Sequence, residues 1–333
     1  MPTILDVAEA AGVGVGTVSR VLNNSPAVSD ATRSKVRAVI SRLEYRPSSL
    51  ARGLSLGTTN VIGALVPTVT RPSSMERLRG VLDTLRDTRY DLALFQIGDE
   101  DERHSRILDV IQPDRCAAGL LISLRPSADD SESLASARAP VVSVDGRVEG
   151  LAGCFIDNVQ GGRLATKHML DLGHRYIAFV GDTSDDLGFN PGGDRLAGYR
   201  SALAEAGVTF RQDYVRTGPH DRDAAHILAR ELFALDRPPT AIIATSDEQA
   251  FGVIAAVRSR GGEVPRDVSV IGFDDLQMAE HLGLTTVRQP LYESGATGAR
   301  LLLERLDGEA AALDAIEMPL EVVIRETTSR RDD

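Results

Sequence analysis

From residue 60 onward, short apolar runs return with helix-period segments between them, and this alternation limits the fold more than any other feature of the chain. The runs are 60–67 (NVIGALVP), 91–97 (DLALFQI), 118–123 (AGLLIS), 140–145 (PVVSVD), 176–181 (YIAFVG), 241–246 (AIIATS) and 268–273 (VSVIGF). Amphipathic stretches lie near 75–89, 101–112, 161–172, 194–206, 221–235 and 247–260. Strands apolar on both faces, alternating with helices, belong to parallel sheets covered on both sides. So many strands suit two sheets rather than one. Ligands of such sheets sit at the carboxyl ends of the strands. Polar residues stand there: Asp145 after VVSV, Ser246, Asp247 and Glu248 after AIIAT, Asp274 and Asp275 after VIGF. Arg195 opens the helical stretch RLAGYRSAL. A strand-end Asp can equally cap the next helix, a reading that weighs most at Asp247.

The first sixty residues follow a different pattern. The stretch AAGVGVGTVSRVLNN (10–24) has glycines at 12, 14 and 16, which invites comparison with a dinucleotide-binding fingerprint. That fingerprint needs a buried strand just upstream. The upstream stretch PTILDVAEA is instead helical: Thr3 and Asp6 make a capping box, and Val7, Ala8 and Ala11 mark one face. Gly12 then ends a short helix in the left-handed conformation. A second helix begins at once, with Val18, Val21 and Leu22 facing inward, so the pair reads as a helix-turn-helix. Ser29 caps a third helix carrying Val36, Val39, Ile40 and Leu43, which YRP (45–47) is expected to stop. Ser48 to Leu54 forms a hinge segment too short for a stable helix in water, expected to fold only against a partner.

Charge separates the two parts. The whole chain carries −11, yet residues 1–60 hold seven Lys or Arg against four acids, a net of +3, leaving −14 on the remainder. A basic head on an acidic body fits a DNA-binding module joined to a part that stays off DNA. The composition, 42% hydrophobic and 26% charged, is that of a soluble globular protein. No run reaches the ~18–20 apolar residues that span a bilayer. With no secretory signal at the N-terminus, the expected location is the cytoplasm, at the nucleoid, with no membrane contact and with the two cysteines, Cys116 and Cys154, reduced and buried. No Cys/His cluster has metal spacing, and no cofactor or metal is expected.

TILDVAEAAGVGVGTVSRVLNN, YRPSSLARGLSLGTTNVIGALVP, LGHRYIAFVGD, RLAGYRSAL and DVSVIGFDD…LTTVRQP together resemble the bacterial lactose-repressor (LacI/GalR) family over nearly the whole chain. The resemblance implies a small all-α helix-turn-helix head plus an α/β body of two doubly wound parallel-sheet subdomains, of periplasmic-binding-protein type. The domains would be 1–46 (DNA-binding), 47–59 (hinge helix and linker) and 60–330 (effector-binding and dimerisation). Within the body, the N-subdomain would cover 60–157 and 290–318, and the C-subdomain 158–289 and 319–330, with three linkers between them. The late helix 291–306 would return to the first sheet, and IEMPLEVVIRETT (316–328) would reach the second.

The implied function is a sequence-specific transcriptional repressor controlled allosterically by a small molecule, a sugar or sugar-like compound. The implied DNA contacts are Thr3, Val15, Gly16, Thr17, Ser19, Arg20, Asn23, Ser29, Arg52 and Leu54, with Leu54 as a wedge in the minor groove. The implied effector contacts are Ser73, Ser74, Asp145, Phe189, Arg195, His220, Ser246, Glu248, Asp274 and Leu291. Carboxylates and an arginine fork suit paired hydrogen bonds to neighbouring hydroxyls. The partners would be a palindromic operator, a carbohydrate effector and a second copy of the chain. The family's tetramers use a C-terminal leucine-heptad tail, whereas this chain closes on RETTSRRDD, so a dimer is expected.

Three departures stand out. Where the family commonly has Asn-Pro-Phe-Phe, this chain has Arg71-Pro72-Ser73-Ser74, so two aromatic walls become hydroxyls, and there is no Trp. Phe189, in the long stretch 181–194, is the candidate replacement ring. Gly14 stands where the family usually has a Ser cap, and Gly16 removes a base-reading side chain. Two other readings stay open: a sugar-modifying enzyme, which turnover would reveal, and a DNA-binding protein without a ligand.

Overall fold

The computed structural model describes residues 2–22, 24–45, 59–98, 100–182, 189–308 and 315–331. The chain divides into two compact units, Met1–Thr59 and Asn60–Asp333.

The first unit holds α1 (Ile4–Ala11), α2 (Val15–Leu22) and α3 (Asp30–Arg42). Their inner faces, Val7, Ala8, Ala11, Val18, Val21, Val36 and Val39, form one buried core with Val28. Thr3 and Asp6 make the reciprocal capping box that their spacing predicts. The three helices end alike. Gly12 (φ 61°), Asn24 (φ 52°) and Glu44 (φ 49°) each take the left-handed conformation. In each case the next amide donates to a carbonyl five residues back: Val13 to Ala8, Ser25 to Arg20, Tyr45 to Ile40. The third helix therefore stops at Arg42, before the YRP sequence, because the Glu44 turn closes it first; Arg46 and Pro47 lie outside the described residues. So does the expected hinge segment, 48–54.

The second unit contains two six-stranded sheets. The first is built from β1 (Val61–Val66), β2 (Asp91–Gln96), β3 (Ala118–Ile122), β4 (Val141–Val144), β5 (Ala152–Phe155) and β11 (Ala315–Glu317), in the order β11-β5-β4-β3-β1-β2. The second is built from β6 (Ile177–Asp182), β7 (Val215–Gly218), β8 (Ala241–Ala244), β9 (Ser269–Asp274), β10 (Thr285–Arg288) and β12 (Glu321–Val323), in the order β12-β10-β9-β8-β6-β7. Every pairing is parallel except β10 with β12.

The sequence runs are continuously apolar because both faces of each sheet are covered. Along β1, Ile62, Ala64 and Val66 meet α4 (Pro72–Leu85) and α12 (Leu291–Leu306) through Leu78, Val81, Ala299 and Leu302. Leu65 faces the opposite core with α5 (Glu100–Ile111) and α6 (Ala128–Ala135). In the second sheet, Ala178 and Val180 face α9 (Arg222–Phe233) and α10 (Asp247–Ser259), while Ile177 and Phe179 face α7 (Asn158–Asp171) and α8 (Pro191–Glu205). The chain crosses between sheets three times: after β5, after β10 and after β11. The stretch IEMPLEVVIRETT divides at the last crossing, so Ile316 and Glu317 pair with β5 in the first sheet and only 321–323 join the second. Strands β5, β7 and β10 and the helix at 128–135 escape the apolar pattern, being short and rich in Gly, Thr or Ser. The short helix α11 (Gln277–His281) follows β9.

Two crossings with a glycine on each helix bring helix backbones close. Where α12 passes α4, a Cβ added at Gly295 would stand 2.7 Å from the carbonyl carbon of Arg77, and one at Gly80 would stand 2.8 Å from the amide nitrogen of Ala296. Where α7 passes α8, a Cβ at Gly162 would stand 2.7 Å from the carbonyl carbon of Arg195, and one at Gly198 2.8 Å from the amide nitrogen of Arg163. Among the described residues no helix is long and apolar enough to cross a membrane.

Candidate functional site

In the first unit the turn between α1 and α2 is tight, and Gly14 starts α2, its carbonyl accepting from the amides of Thr17 and Val18. A Cβ added at Gly14 or Gly16 would meet nothing within 4 Å. Val15, Gly16 and Arg20 are exposed on the outer face of α2, with Ser19 and Thr17 half-buried beside them. The Arg20 side chain has no partner among the described residues. Thr3 and Ser29 act as helix caps, Thr3 accepting from the Asp6 amide at 3.3 Å and Ser29 from the Thr32 amide at 3.4 Å. The Thr3 amide, donating to Asp6, holds that carboxyl below its ordinary pKa. Arg33 ties the 25–28 turn by donating to the Ser25 carbonyl at 2.8 Å, and Arg37 donates to Asn24 Oδ1 at 2.8 Å. Asn23, Arg52 and Leu54 lie outside the described residues.

In the second unit, one cavity lies between the two sheets at the carboxyl ends of their strands. Its lining includes Thr68, Arg71, Ser73, Ser74, Arg77, Ser123 and Asp145 from the first subdomain, and Asp182, Phe189, Arg195, His220, Asp274 and Gln289 from the second and its connection. Its volume is about 50 Å³, room for a few waters. Three strand-end residues in the lining carry positive φ: Ser123 (52°), Asp145 (72°) and Asp274 (117°). Such backbone costs about 1–3 kcal/mol per residue outside glycine and gathers where function needs it.

The polar groups of the cavity are linked. Arg77 pairs with Asp145 at 2.7 Å, and both side chains are more than nine-tenths buried. Asp145 also accepts from Ser123 at 2.7 Å. Arg77 donates to Gln289 Oε1 at 2.8 Å, and Gln289 in turn donates to Asp274. Arg195 donates to Asn158 Oδ1 at 2.9 Å and to the Thr245 carbonyl, and its guanidinium lies 3.5 Å over the Phe273 ring. Burial pulls the Arg195 pKa down against the opposing charges of Asp274, Asp145 and Asp182. Burial raises that of Asp274, although Arg195 and the Gln289 bond oppose it. Asp182 behaves the other way. Burial is the largest influence and pushes it up, but the hydrogen bond from His220 at 2.9 Å together with the charges of His220, Arg71 and Arg195 leaves its pKa below the ordinary value. Gln249 also donates to Asp182 at 2.9 Å.

The cavity thus gathers seven of the ten residues that the family resemblance implies: Ser73, Ser74, Asp145, Phe189, Arg195, His220 and Asp274. Three are not in its lining. Ser246 is buried as the N-cap of α10, accepting from the Gln249 amide. Glu248 turns outward to Arg222 at 3.3 Å. Leu291 packs in the buried first turn of α12. Asp247 is structural: it accepts from the Leu276 amide at 2.7 Å and Thr286 Oγ1 at 2.6 Å. Its pKa is raised well above the usual value by burial and then by the charge of Asp274. Sequence reasoning missed Arg77, Ser123, Asp182 and Gln289. For Arg77 a signal existed: RLRG (77–80) repeats RLAG (195–198). Cys116 and Cys154 are free and buried, and burial raises each thiol to about 11. Among the described residues no group of three or more His, Cys, Asp or Glu is placed to hold a metal.

Comparison with known proteins agrees with this architecture. Residues 3–48 match bacterial regulatory proteins of the lacI family, and residues 166–328 match the periplasmic binding protein-like domain. The chain is 33% identical over 336 residues to the HTH-type transcriptional repressor PurR of Vibrio parahaemolyticus serotype O3:K6 (strain RIMD 2210633), covering 99% of each chain. Among solved structures it is similar to a complex of the transcriptional regulator CelR with cellobiose, at 31% identity and TM-score 0.70, over 98% of this chain and 100% of that one. It shares its fold with the Lac repressor dimer bound to operator and the anti-inducer ONPF, at 24% identity and TM-score 0.84, over 98% of this chain and 99% of that one.

Proposed function

The chain belongs to the lacI family of bacterial regulatory proteins, and from that premise we propose that it is a dimeric transcriptional repressor of a near-palindromic operator, released or tightened by a small hydroxylated molecule. The observation that carries this reading is the cavity between the two sheets, which takes charged side chains from both subdomains. A ligand that touches both sides favours one setting of the subdomains over another. It can shift DNA affinity only by the difference in its affinity for those settings. The similarity to a regulator solved with cellobiose supports a sugar-like occupant.

The wiring of the acids favours binding over turnover. Asp145, Asp182 and Asp274 each already accept from a neighbouring donor, which fixes their oxygens as acceptors for ligand hydroxyls. On the DNA side, the open surface at Gly14 and Gly16 leaves Arg20 as the main base reader, suited to guanine O6 and N7. Val15 can touch only a thymine methyl.

The test has two stages. Selection from random duplexes should yield a near palindrome. A thermal-shift screen of sugars, polyols and nucleosides should then find a compound that changes operator affinity. A compound that binds the cavity without changing operator affinity, or that is consumed, overturns the proposal.

A further inference from the structure

We propose that the effector is an acid: a polyhydroxylated compound whose anionic group seats on Arg71 and the first turn of α4, while its hydroxyls meet Asp145, Arg195 and Asp274. This rests on the ligand-controlled reading above and names the chemical class of that ligand.

The argument starts from unmet donors. Helix α4 has Pro72 at its first position, and its N-cap, Arg71, makes no side-chain capping bond. The amides of Ser73 and Ser74 therefore face outward from the helix start without an acceptor, while the Met75 amide is the first to be bonded, to the Arg71 carbonyl. The Ser73 and Ser74 hydroxyls and the Arg71 guanidinium have no hydrogen-bond partner among the described residues either, and all three residues line the cavity. One turn further on, Arg77 is 2% exposed, lines the same cavity, and has a buried Nε with no acceptor. A 14-residue helix adds its own positive end to these groups.

Charge matching gives the sign of the occupant. The lining holds three arginines and three aspartates. Arg77 is matched to Asp145 at 2.7 Å. Asp182 accepts from His220 and Gln249, and Asp274 accepts from Gln289 with Arg195 as its nearest opposing charge. Arg71 is the cation left without an acidic partner at ion-pair distance among the described residues. It is near enough to act on Asp182 through its charge but makes no bond to it. The hydroxyl oxygens of a neutral sugar can accept from single donors of this cluster but leave the Arg71 charge unmatched. A carboxylate or phosphate oxygen answers several at once, and charge-assisted bonds are about twice as strong as neutral ones. The replacement of two aromatic walls by Ser73 and Ser74 fits the same occupant: a surface for stacking has become one for hydrogen bonding.

Calorimetric titration of the full-length protein tests this with matched triples: D-galactose, D-galacturonate and D-galactose 6-phosphate, and the glucose equivalents with D-gluconate. We expect at least one acid to bind tenfold or more tighter than its neutral counterpart. Arg71→Gln should erase most of that preference while leaving weak neutral binding in place. Preference for the uronate or aldonate identifies a carboxylate, and preference for the 6-phosphate identifies a phosphate; either supports the anionic seat. A neutral sugar that binds as tightly as its acids, or an acid preference untouched by Arg71→Gln, overturns it. If that neutral binding is abolished by Asp274→Ala, the proposed ligand-controlled function stands and only the anionic seat falls. Binding by no acid in the panel also overturns the seat.

Discussion

Replacing Gly162 with alanine should loosen the grip of Arg195 on the cavity from a distance. The new methyl would stand 2.7 Å from the Arg195 carbonyl carbon, and closer still to its oxygen. Two carbons pack best at about 3.5–4.0 Å. Helix α8 must therefore move by about 1 Å relative to α7. Overpacking of this kind costs about 1–3 kcal/mol. For a unit of this size each kcal/mol lowers Tm by about 2–4 °C, so the expected fall is roughly 2–12 °C. The same displacement pulls the Arg195 guanidinium from Asn158 Oδ1, now at 2.9 Å, and from its place 3.5 Å above Phe273. A lost bond to a charged group is worth about 1.5–3 kcal/mol, or roughly a 10- to 150-fold loss of ligand affinity. Gly252→Ala is the control. Its methyl would also strike a helix backbone, at Arg222, but that helix carries no arginine into the cavity. Scanning calorimetry and titration with the ligand found by thermal screening read both effects. Equal loss of ligand affinity in the two variants, or an unchanged Tm for Gly162→Ala, would refute the reasoning.

Asp274→Ala removes a buried acceptor facing Arg195, and loss of one partner from a desolvated charged contact costs about 2–5 kcal/mol, so operator binding should cease to respond to the ligand. A response at the wild-type ligand concentration would remove Asp274 from the site. Arg20→Ala should weaken operator binding by about 1–3 kcal/mol and relax preference at one base pair per half-site, measured by competition against single-base variants. Asp247 has a folded pKa raised by burial and by Asp274, so its contribution to stability is full below the usual carboxylate range and fades as the pH rises through the raised value. Wild type should accordingly gain stability relative to Asp247→Asn as the pH is lowered, read by denaturant unfolding at several pH values. A difference that stays flat with pH would contradict the raised value.

Much of the architecture is legible because burial on both sheet faces leaves a plain mark. VVSV and AIIA could hardly be anything but central strands. The strands AGCF, VRTG and TTVR leave no such mark: VRTG lies at a sheet edge, AGCF presses a glycine against its neighbour, and TTVR buries two threonines, of which Thr286 donates to Asp247. Gly153 is that glycine, with Ser143 where its side chain would go. The cavity was half legible. Strand-end acids announce themselves by position, as Asp145 and Asp274 do. Arg77 does not, because a basic residue inside an amphipathic helix reads as surface. Ser246 and Glu248 occupy the right strand end, but helix capping claims one and an outward ion pair the other. Those choices depend on three-dimensional neighbours that spacing alone does not reveal.

The two glycine crossings have a consequence for how the body holds together. Both sheets have the same strand order when the second is renumbered from its own first strand. In each, the helix after the first strand bears the cavity arginine, Arg77 or Arg195. The helix that presses its glycine against that arginine's backbone is supplied by the opposite half: α7, which follows the fifth strand of the first sheet, packs in the second, and α12, which follows the fifth strand of the second sheet, packs in the first. The halves are reciprocally exchanged, in the manner of a domain swap sealed inside one chain. A cut at the midpoint would strip each lobe of the helix that positions its own arginine. The body should therefore unfold in a single transition, with opening of the cavity as the only large rearrangement short of it.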